Sequence, residues 1–253
     1  TAARRNEHYP EPIVVQKGAH MTKDSPARIW QIDFSRGVAI CLMASFHFVF
    51  DLNYYWDVPV SYQSGFWYYV GKLSAVLFTF IAGVSASLSS HHIRRGLVVL
   101  GWGVVISLAT YLLDSQTYIR FGILHMQGSC MLLFPLLKTL RPAWLAALGA
   151  ALFAAGQWTA QLTGPAVLLP LGVMPTGFQS LDYYPLLPWA SLFLFGAALG
   201  KVILGAQPSQ ASFQSQPVWA RPFSLAGRHS LEIYLLHQPV LICLLWMWNY
   251  CKG

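Results

Sequence analysis

The chain has 253 residues, of which 55% are hydrophobic and only 10% are charged. An ordinary soluble domain is about one-quarter charged, so this composition excludes a soluble protein and indicates an integral membrane protein. The formal net charge of +7 does not point to nucleic acid, because the positions of the basic residues have a simpler explanation in membrane orientation.

The N-terminal residues 1–27 are interpreted as a tail that precedes a single transmembrane domain, residues 28–253. Residues 1–20 are polar, contain two prolines and lack the apolar segment of a signal peptide. The pair His20-Met21 is what a common cloning site encodes. We therefore expect tag or linker sequence before Met21, and the alternative is a native disordered tail.

The apolar segments that follow have the length of membrane helices and lack the alternation of barrel strands. They predict an all-α, polytopic transmembrane helical bundle of about seven spans. The predicted spans are residues 37–56, 66–90, 96–113, 121–138, 142–162, 186–204 and 231–250. Residues 163–185 are interrupted by prolines and glycines, so they predict a re-entrant or surface loop. The connection at about 205–230 is too short and polar to form a separate domain.

The basic residues predict the orientation of these spans. If the N-terminus is cytoplasmic, thirteen lysines and arginines lie on the inner side, and only Lys72, Arg120 and Lys252 lie toward the outside. Cytoplasmic segments of membrane proteins carry such an excess of positive charge. We therefore expect a cytoplasmic N-terminus and an external C-terminus.

The first span carries a stripe of polar side chains. At about 100° per residue, Asp33, Arg36, His47, Asp51 and Tyr54 lie within roughly 60° of one another. A charge at the centre of a membrane helix costs at least ~2.5 kcal/mol, so such residues face the protein interior and commonly mark a functional site. The stripe is therefore predicted to face other helices.

His47 is the central candidate of this stripe. It lies 11 residues after Arg36, which places it roughly 16 Å farther along the helix and near the middle of the bilayer. Asp51 follows one turn later, and an imidazole beside a carboxylate is a typical general base. His47, Asp51 and Arg36 are therefore candidate catalytic residues. A polar pair that merely holds helices together is the alternative.

Other polar residues sort by depth into two groups. His125 and Asp182 fall in the outer half and are predicted, with His237 and Tyr54, to bind substrate. Aromatic residues at span ends are also typical interfacial anchors. The inner side collects basic residues that suit a phosphorylated donor, and the predicted donor-binding residues are Arg94, Arg95, Lys138 and Arg228. The cysteines form no metal-type pair, and no metal site is predicted.

Four sequence runs carry a resemblance to a known family: RIWQIDFSRGVAICLMASFHFVFDL, FGILHMQGSCMLL, DYYPLLPWASLFLFGAALG and GRHSLEIYLLHQPVL. They resemble bacterial membrane proteins grouped with the catalytic domain of heparan-alpha-glucosaminide N-acetyltransferase. The spacing of Arg36 and His47 also resembles the motif of O-antigen-type membrane acyltransferases, and that likeness implies that His47 is the catalytic base. No histidine occurs between Asp51 and Tyr69, so amine and hydroxyl acceptors both stay open.

The resemblance implies a multi-pass protein of the bacterial inner membrane that transfers an acetyl or other acyl group. The implied donor is cytoplasmic acetyl-CoA or another acyl-CoA, and the implied acceptor is a sugar amine or hydroxyl on the outer side. Arg94 and Arg95 match the basic inner loop that contacts the CoA phosphates in those relatives. A transporter or flippase is an alternative, because it would also place ionisable groups at the midplane. A non-catalytic membrane partner subunit is another.

Overall fold

The structure is a computed structural model, and it describes residues 29–205 and 216–252. The predicted tail, residues 1–27, and the tag expected before Met21 lie outside the described residues. Within the described ranges the chain forms eight α-helices and no β-strand longer than an isolated bridge. The helices are α1 (Trp30–Trp56), α2 (Gly65–Leu88), α3 (His92–Leu113), α4 (Ile123–Leu137), α5 (Pro142–Thr159), α6 (Leu186–Gly205), α7 (Arg221–Arg228) and α8 (Ser230–Lys252).

All seven predicted span regions are helical, which confirms the all-α transmembrane bundle. Five helices, namely α1, α2, α3, α6 and α8, are long and apolar enough to cross a membrane. α4 is a shorter apolar helix of 15 residues, and α5 has 18 residues. Length and composition therefore support five spans directly, and the crossings by α4 and α5 stay predictions. We call the end of the bundle with the α1–α2 connection the outer end and the opposite end the inner end.

The first helix begins earlier than predicted, at Trp30 instead of residue 37. Its first turns contain Asp33 and Arg36, the first two residues of the predicted polar stripe. The extension is possible because α7, which lies in the segment predicted as a polar connection, covers this part of α1. Gly227 of α7 lies directly against the Asp33 carbonyl. Asp33 is consequently only 3% exposed despite its charge.

The centre of the bundle is the contact between α2 and α6. Gly83 of α2 approaches the carbonyl of Phe193, and Gly196 of α6 approaches the carbonyl of Phe80. Small residues let membrane helices pack at close distance, which is where such helices gain van der Waals contact. This close contact fixes the relative positions of the helices that surround the site.

The outer end is closed by the segment between α5 and α6, which was predicted as a re-entrant or surface loop. It contains a short 3₁₀-helix, Ala166–Leu171. Its last residues cross to the start of α4, where the backbone N–H of Tyr184 donates to the carbonyl of Phe121 (2.9 Å). The last residues of the segment, Asp182 to Tyr184, therefore lie next to the start of α4 and line a cavity.

Candidate active site

A cavity of about 360 Å³ lies between α1, α2, the start of α4 and the α5–α6 segment. Residues of the α1–α2 connection and of the α5–α6 segment line it, so it lies toward the outer end. It extends to His47 near the middle of α1. Its polar and aromatic lining includes His47, Tyr68, Lys72, Asp182, Tyr184 and Tyr234. Two predicted site residues, His47 and Asp182, thus share one cavity.

His47 lies where α1 contacts α8. Its ring centroid is 4.8 Å from that of His237, with the ring planes at 60°. Its Nδ1 is buried without a hydrogen-bond partner. Because His47 also lines the cavity, Nε2 is the nitrogen available to a molecule bound there.

Asp51 is fully buried, as the polar stripe predicted. Its Oδ1 accepts a hydrogen bond from Nε2 of Gln238 in α8 (2.5 Å). Among the described residues no hydrogen bond joins Asp51 to His47, although the two lie one helical turn apart. The expected imidazole–carboxylate pair is therefore replaced by two separate contacts with consecutive residues of α8, His237 and Gln238.

Arg36 lies at the inner end of α1 and not beside His47. Its Nη1 is 3.5 Å from Oδ1 of Asp33. Nε of Arg228, from α7, is 3.4 Å from the other oxygen of the same carboxylate. One buried carboxylate thus holds both arginines where α7 packs against α1, and the helix rise keeps Arg36 roughly 16 Å from His47.

The start of α4 organises Asp182 and His125. Oδ2 of Asp182 accepts a hydrogen bond from the backbone N–H of Ile123 (3.0 Å), where a helix N-terminus favours negative charge. Burial raises the pKa of Asp182 to about 6, and the Ile123 N–H and nearby Lys72 act in the opposite direction. His125 is 8% exposed, and its Nδ1 accepts from the N–H of Gly122 (3.3 Å).

His125 faces α3 and not the cavity. Its Nε2 is 3.3 Å from the Oγ of Ser107, and it is not among the residues that line the cavity. Tyr54 does not line the cavity either. It is half exposed and stacks on Phe50 with ring centroids 5.3 Å apart, which fits an interfacial anchor. Substrate binding by these two residues stays a prediction.

Lys72 and the aromatic rings around it are the part of the site that sequence reasoning missed. The Lys72 ammonium lies 5.5 Å from the ring centroid of Tyr68 and 5.6 Å from that of Trp189. A cation over an aromatic face is attracted by the ring electrons. The sequence contains one signal for it: Lys72 is an ionisable residue within the second predicted span, and such residues commonly mark a functional site. Orientation alone does not make use of that signal.

The inner end carries the four predicted donor-binding residues, in two places. Arg94 and Arg95 are exposed in the first turn of α3. Lys138 is the residue that follows α4, and together with Arg95 it lies within electrostatic range of His92. Lys201 of α6 donates to the carbonyls of Lys138 and Leu140. Arg94, Arg95 and Lys138 thus lie at one end of the α3–α4 pair, whereas Arg228 is engaged by Asp33 next to α1.

The comparisons with known proteins agree with the predicted resemblance. The family model described as "Heparan-alpha-glucosaminide N-acetyltransferase, catalytic" matches residues 28–239, which is well over half of the chain. No curated protein and no solved structure matches. The matched range includes every candidate site residue named in the sequence analysis.

Proposed function

The chain belongs to the family of the heparan-alpha-glucosaminide N-acetyltransferase catalytic domain, and from this premise we propose that it is a membrane-bound acyltransferase of glycans. It moves an acetyl or other acyl group from cytoplasmic acyl-CoA to a sugar amine or hydroxyl on the outer side of the bacterial inner membrane. The observation that carries the proposal is the position of His47, which lines a cavity together with Asp182 and Lys72.

In this proposal His47 acts as the general base. Its Nε2 takes the proton of the acceptor N–H or O–H while the acceptor nitrogen or oxygen attacks the thioester carbonyl carbon. The carbon–sulfur bond breaks, and the CoA thiolate leaves with the acyl group now bonded to the acceptor. The imidazolium then returns its proton to the thiolate. The carboxyl group of Asp51, one turn away, stabilises the imidazolium through space.

The acceptor side of the site is the cavity itself. Its aromatic lining, Tyr68, Tyr184 and Tyr234, gives an apolar surface with a few polar groups, which is typical of small-molecule sites. Asp182, which the sequence already singled out, supplies a carboxyl group that can accept hydrogen bonds from sugar hydroxyls. His125 and His237 do not line this cavity, so the predicted substrate binding by these two residues stays a prediction.

The donor side is assigned to the basic inner end. Arg94, Arg95 and Lys138 offer cationic groups of the kind that bind phosphates, and the exposure of both arginines leaves them accessible to a cytoplasmic nucleotide. Arg228 and Arg36 are weaker candidates for donor binding, because both already pair with Asp33. They would bind a phosphate only in competition with that carboxylate.

The experiment compares purified wild-type protein with His47→Ala in detergent, using acetyl-CoA and measuring CoA release and label transfer to an aminosugar or hydroxyl sugar. Since general-base catalysis is typically worth ~10² to 10⁴ in rate, His47→Ala should lose transfer by that factor while it stays folded and binds CoA. His229→Ala, at an exposed histidine, is the matched control. A folded His47→Ala protein with near-normal transfer would refute the assignment of the base.

A further inference from the structure

Two buried nitrogens without hydrogen-bond partners belong to rings that contact each other where α1 meets α8. The rings of His47 and His237 are in contact, with centroids 4.8 Å apart. Nδ1 of His47 and Nε2 of His237 are both buried, and neither makes a hydrogen bond. A buried polar atom without a partner is unfavourable, so two of them on contacting rings call for an explanation.

The backbone fixes the tautomer of His237. Its Nδ1 lies 2.6 Å from the carbonyl oxygen of Tyr234. A carbonyl oxygen can only accept, so Nδ1 of His237 carries the proton and donates it. In the neutral ring Nε2 is then a hydrogen-bond acceptor. His237 therefore presents a buried acceptor at the contact with His47.

The proposed role of His47 requires the complementary tautomer. If Nε2 of His47 takes the proton of the acceptor, that nitrogen must start unprotonated, and the ring proton must be on Nδ1. Nδ1 then needs an acceptor that holds the ring in place, which is the role of the carboxylate in a catalytic triad. Among the described residues no hydrogen bond joins Asp51 to His47, and Oδ1 of Asp51 accepts its hydrogen bond from Gln238.

We propose that His237 is the positioning residue for His47: its Nε2 accepts a hydrogen bond from the Nδ1–H of His47. This rests on the proposed function, and it gives His237 a role other than substrate contact. It fits the absence of His237 from the residues that line the cavity. Hydrogen bonds of this kind are often long before substrate binds and shorten in the reacting complex.

Two other buried acceptors compete for the same proton. Oδ2 of Asp51 and Oε1 of Gln238 also lack partners, and both belong to side chains near this contact. Among the described residues of α8, however, His237 is the one whose ring contacts the ring of His47. The test must therefore distinguish His237 from Asp51.

The experiment measures the tautomer of His47 by ¹⁵N NMR on the full chain in detergent, with ¹⁵N-labelled histidine, and the kinetics of acyl transfer in parallel. His237→Leu removes the acceptor, and His237→Gln keeps one, because the glutamine Oε1 can occupy the place of Nε2. We expect His47 to carry its proton on Nδ1 in wild type and in His237→Gln and to shift to Nε2 in His237→Leu. kcat should fall at least ~10-fold in His237→Leu, with KM for acyl-CoA nearly unchanged, and recover in part in His237→Gln.

His229→Gln is the matched histidine control, and it should change neither the tautomer nor kcat. Wild-type His47 protonated on Nε2 would overturn the proposal, and this holds even if His237→Leu fails to fold. A tautomer that shifts in Asp51→Asn but not in His237→Leu would also overturn it. If wild type shows no acyl transfer, the proposed function fails, whereas the tautomer measurement still decides the role of His237.

Discussion

Replacing Gly196 by alanine tests how closely α2 and α6 pack. A Cβ at position 196 would lie 2.0 Å from the carbonyl oxygen of Phe80 and 2.9 Å from its carbonyl carbon. Ordinary van der Waals contact begins at 3.4 Å, so the methyl group is about 1.4 Å too close. The atoms it meets are backbone atoms of α2, which cannot move aside as a side chain can. The two helices must therefore separate.

The cost of that separation is the cost of overpacking, typically about 1–3 kcal/mol. Against it stands the gain from replacing glycine in a helix, roughly 0.5–1 kcal/mol. The net effect should still be destabilising, because the close contact also contributes packing along the rest of α2 and α6. At about 2–4 °C per kcal/mol for a chain of this size, we expect the unfolding midpoint to fall by up to roughly 10 °C.

The assay is thermal unfolding of the purified protein in one detergent, followed by circular dichroism or by tryptophan fluorescence. Gly101→Ala is the matched control, since a Cβ there meets nothing within 4 Å. That variant makes the same chemical change in a helix and should be as stable as wild type or slightly more stable. Equal midpoints for Gly196→Ala and Gly101→Ala would show that α2 and α6 are not packed as described.

Three further predictions concern charge. Asp182 has a pKa of about 6 in the folded protein against an ordinary 3.8, so the folded state holds the proton more tightly than the unfolded chain. The free energy of unfolding should therefore fall as pH rises from about 4 to 7, by on the order of 1–3 kcal/mol. Asp182→Asn keeps an acceptor for the Ile123 N–H but does not titrate, so its thermal unfolding should depend less on pH over this range. Replacing Arg94 and Arg95 together by alanine should raise KM for acyl-CoA more than it lowers kcat, since phosphate contacts remote from the thioester stabilise ground and transition states alike; a loss in kcat alone would contradict this. A cysteine introduced at position 94 in a cysteine-free background should react with an impermeant thiol reagent only from the cytoplasmic side, and labelling only from outside would reverse the orientation.

The sequence by itself determined the class of the fold, and it pointed to His47, which lines the cavity of the candidate site. The apolar segments have the length of membrane helices and carry few charges, so the helices lie where the hydropathy pattern predicted them. The burial of Asp33 and Asp51 also followed from the stripe of polar side chains on α1, because a charge that faces lipid is too costly. The family followed from the runs around Arg36, His47 and Asp182, and the family match confirms it.

The partners of these residues were decided only by the tertiary structure. Spacing along α1 suggested that Asp51 pairs with His47. In the structure both side chains contact α8 instead: Asp51 accepts a hydrogen bond from Gln238, and the ring of His47 contacts the ring of His237. Spacing also grouped Arg36 with His47, whereas Arg36 pairs with Asp33 of its own helix at the inner end, and Arg228 of α7 contacts the other oxygen of that carboxylate. Lys72 entered the site because α2 packs its outer half against the α5–α6 segment. The contacts with α7, α8 and the α5–α6 segment join parts that are far apart in the chain, and periodicity within one helix carries no information about which neighbour will cover its polar face.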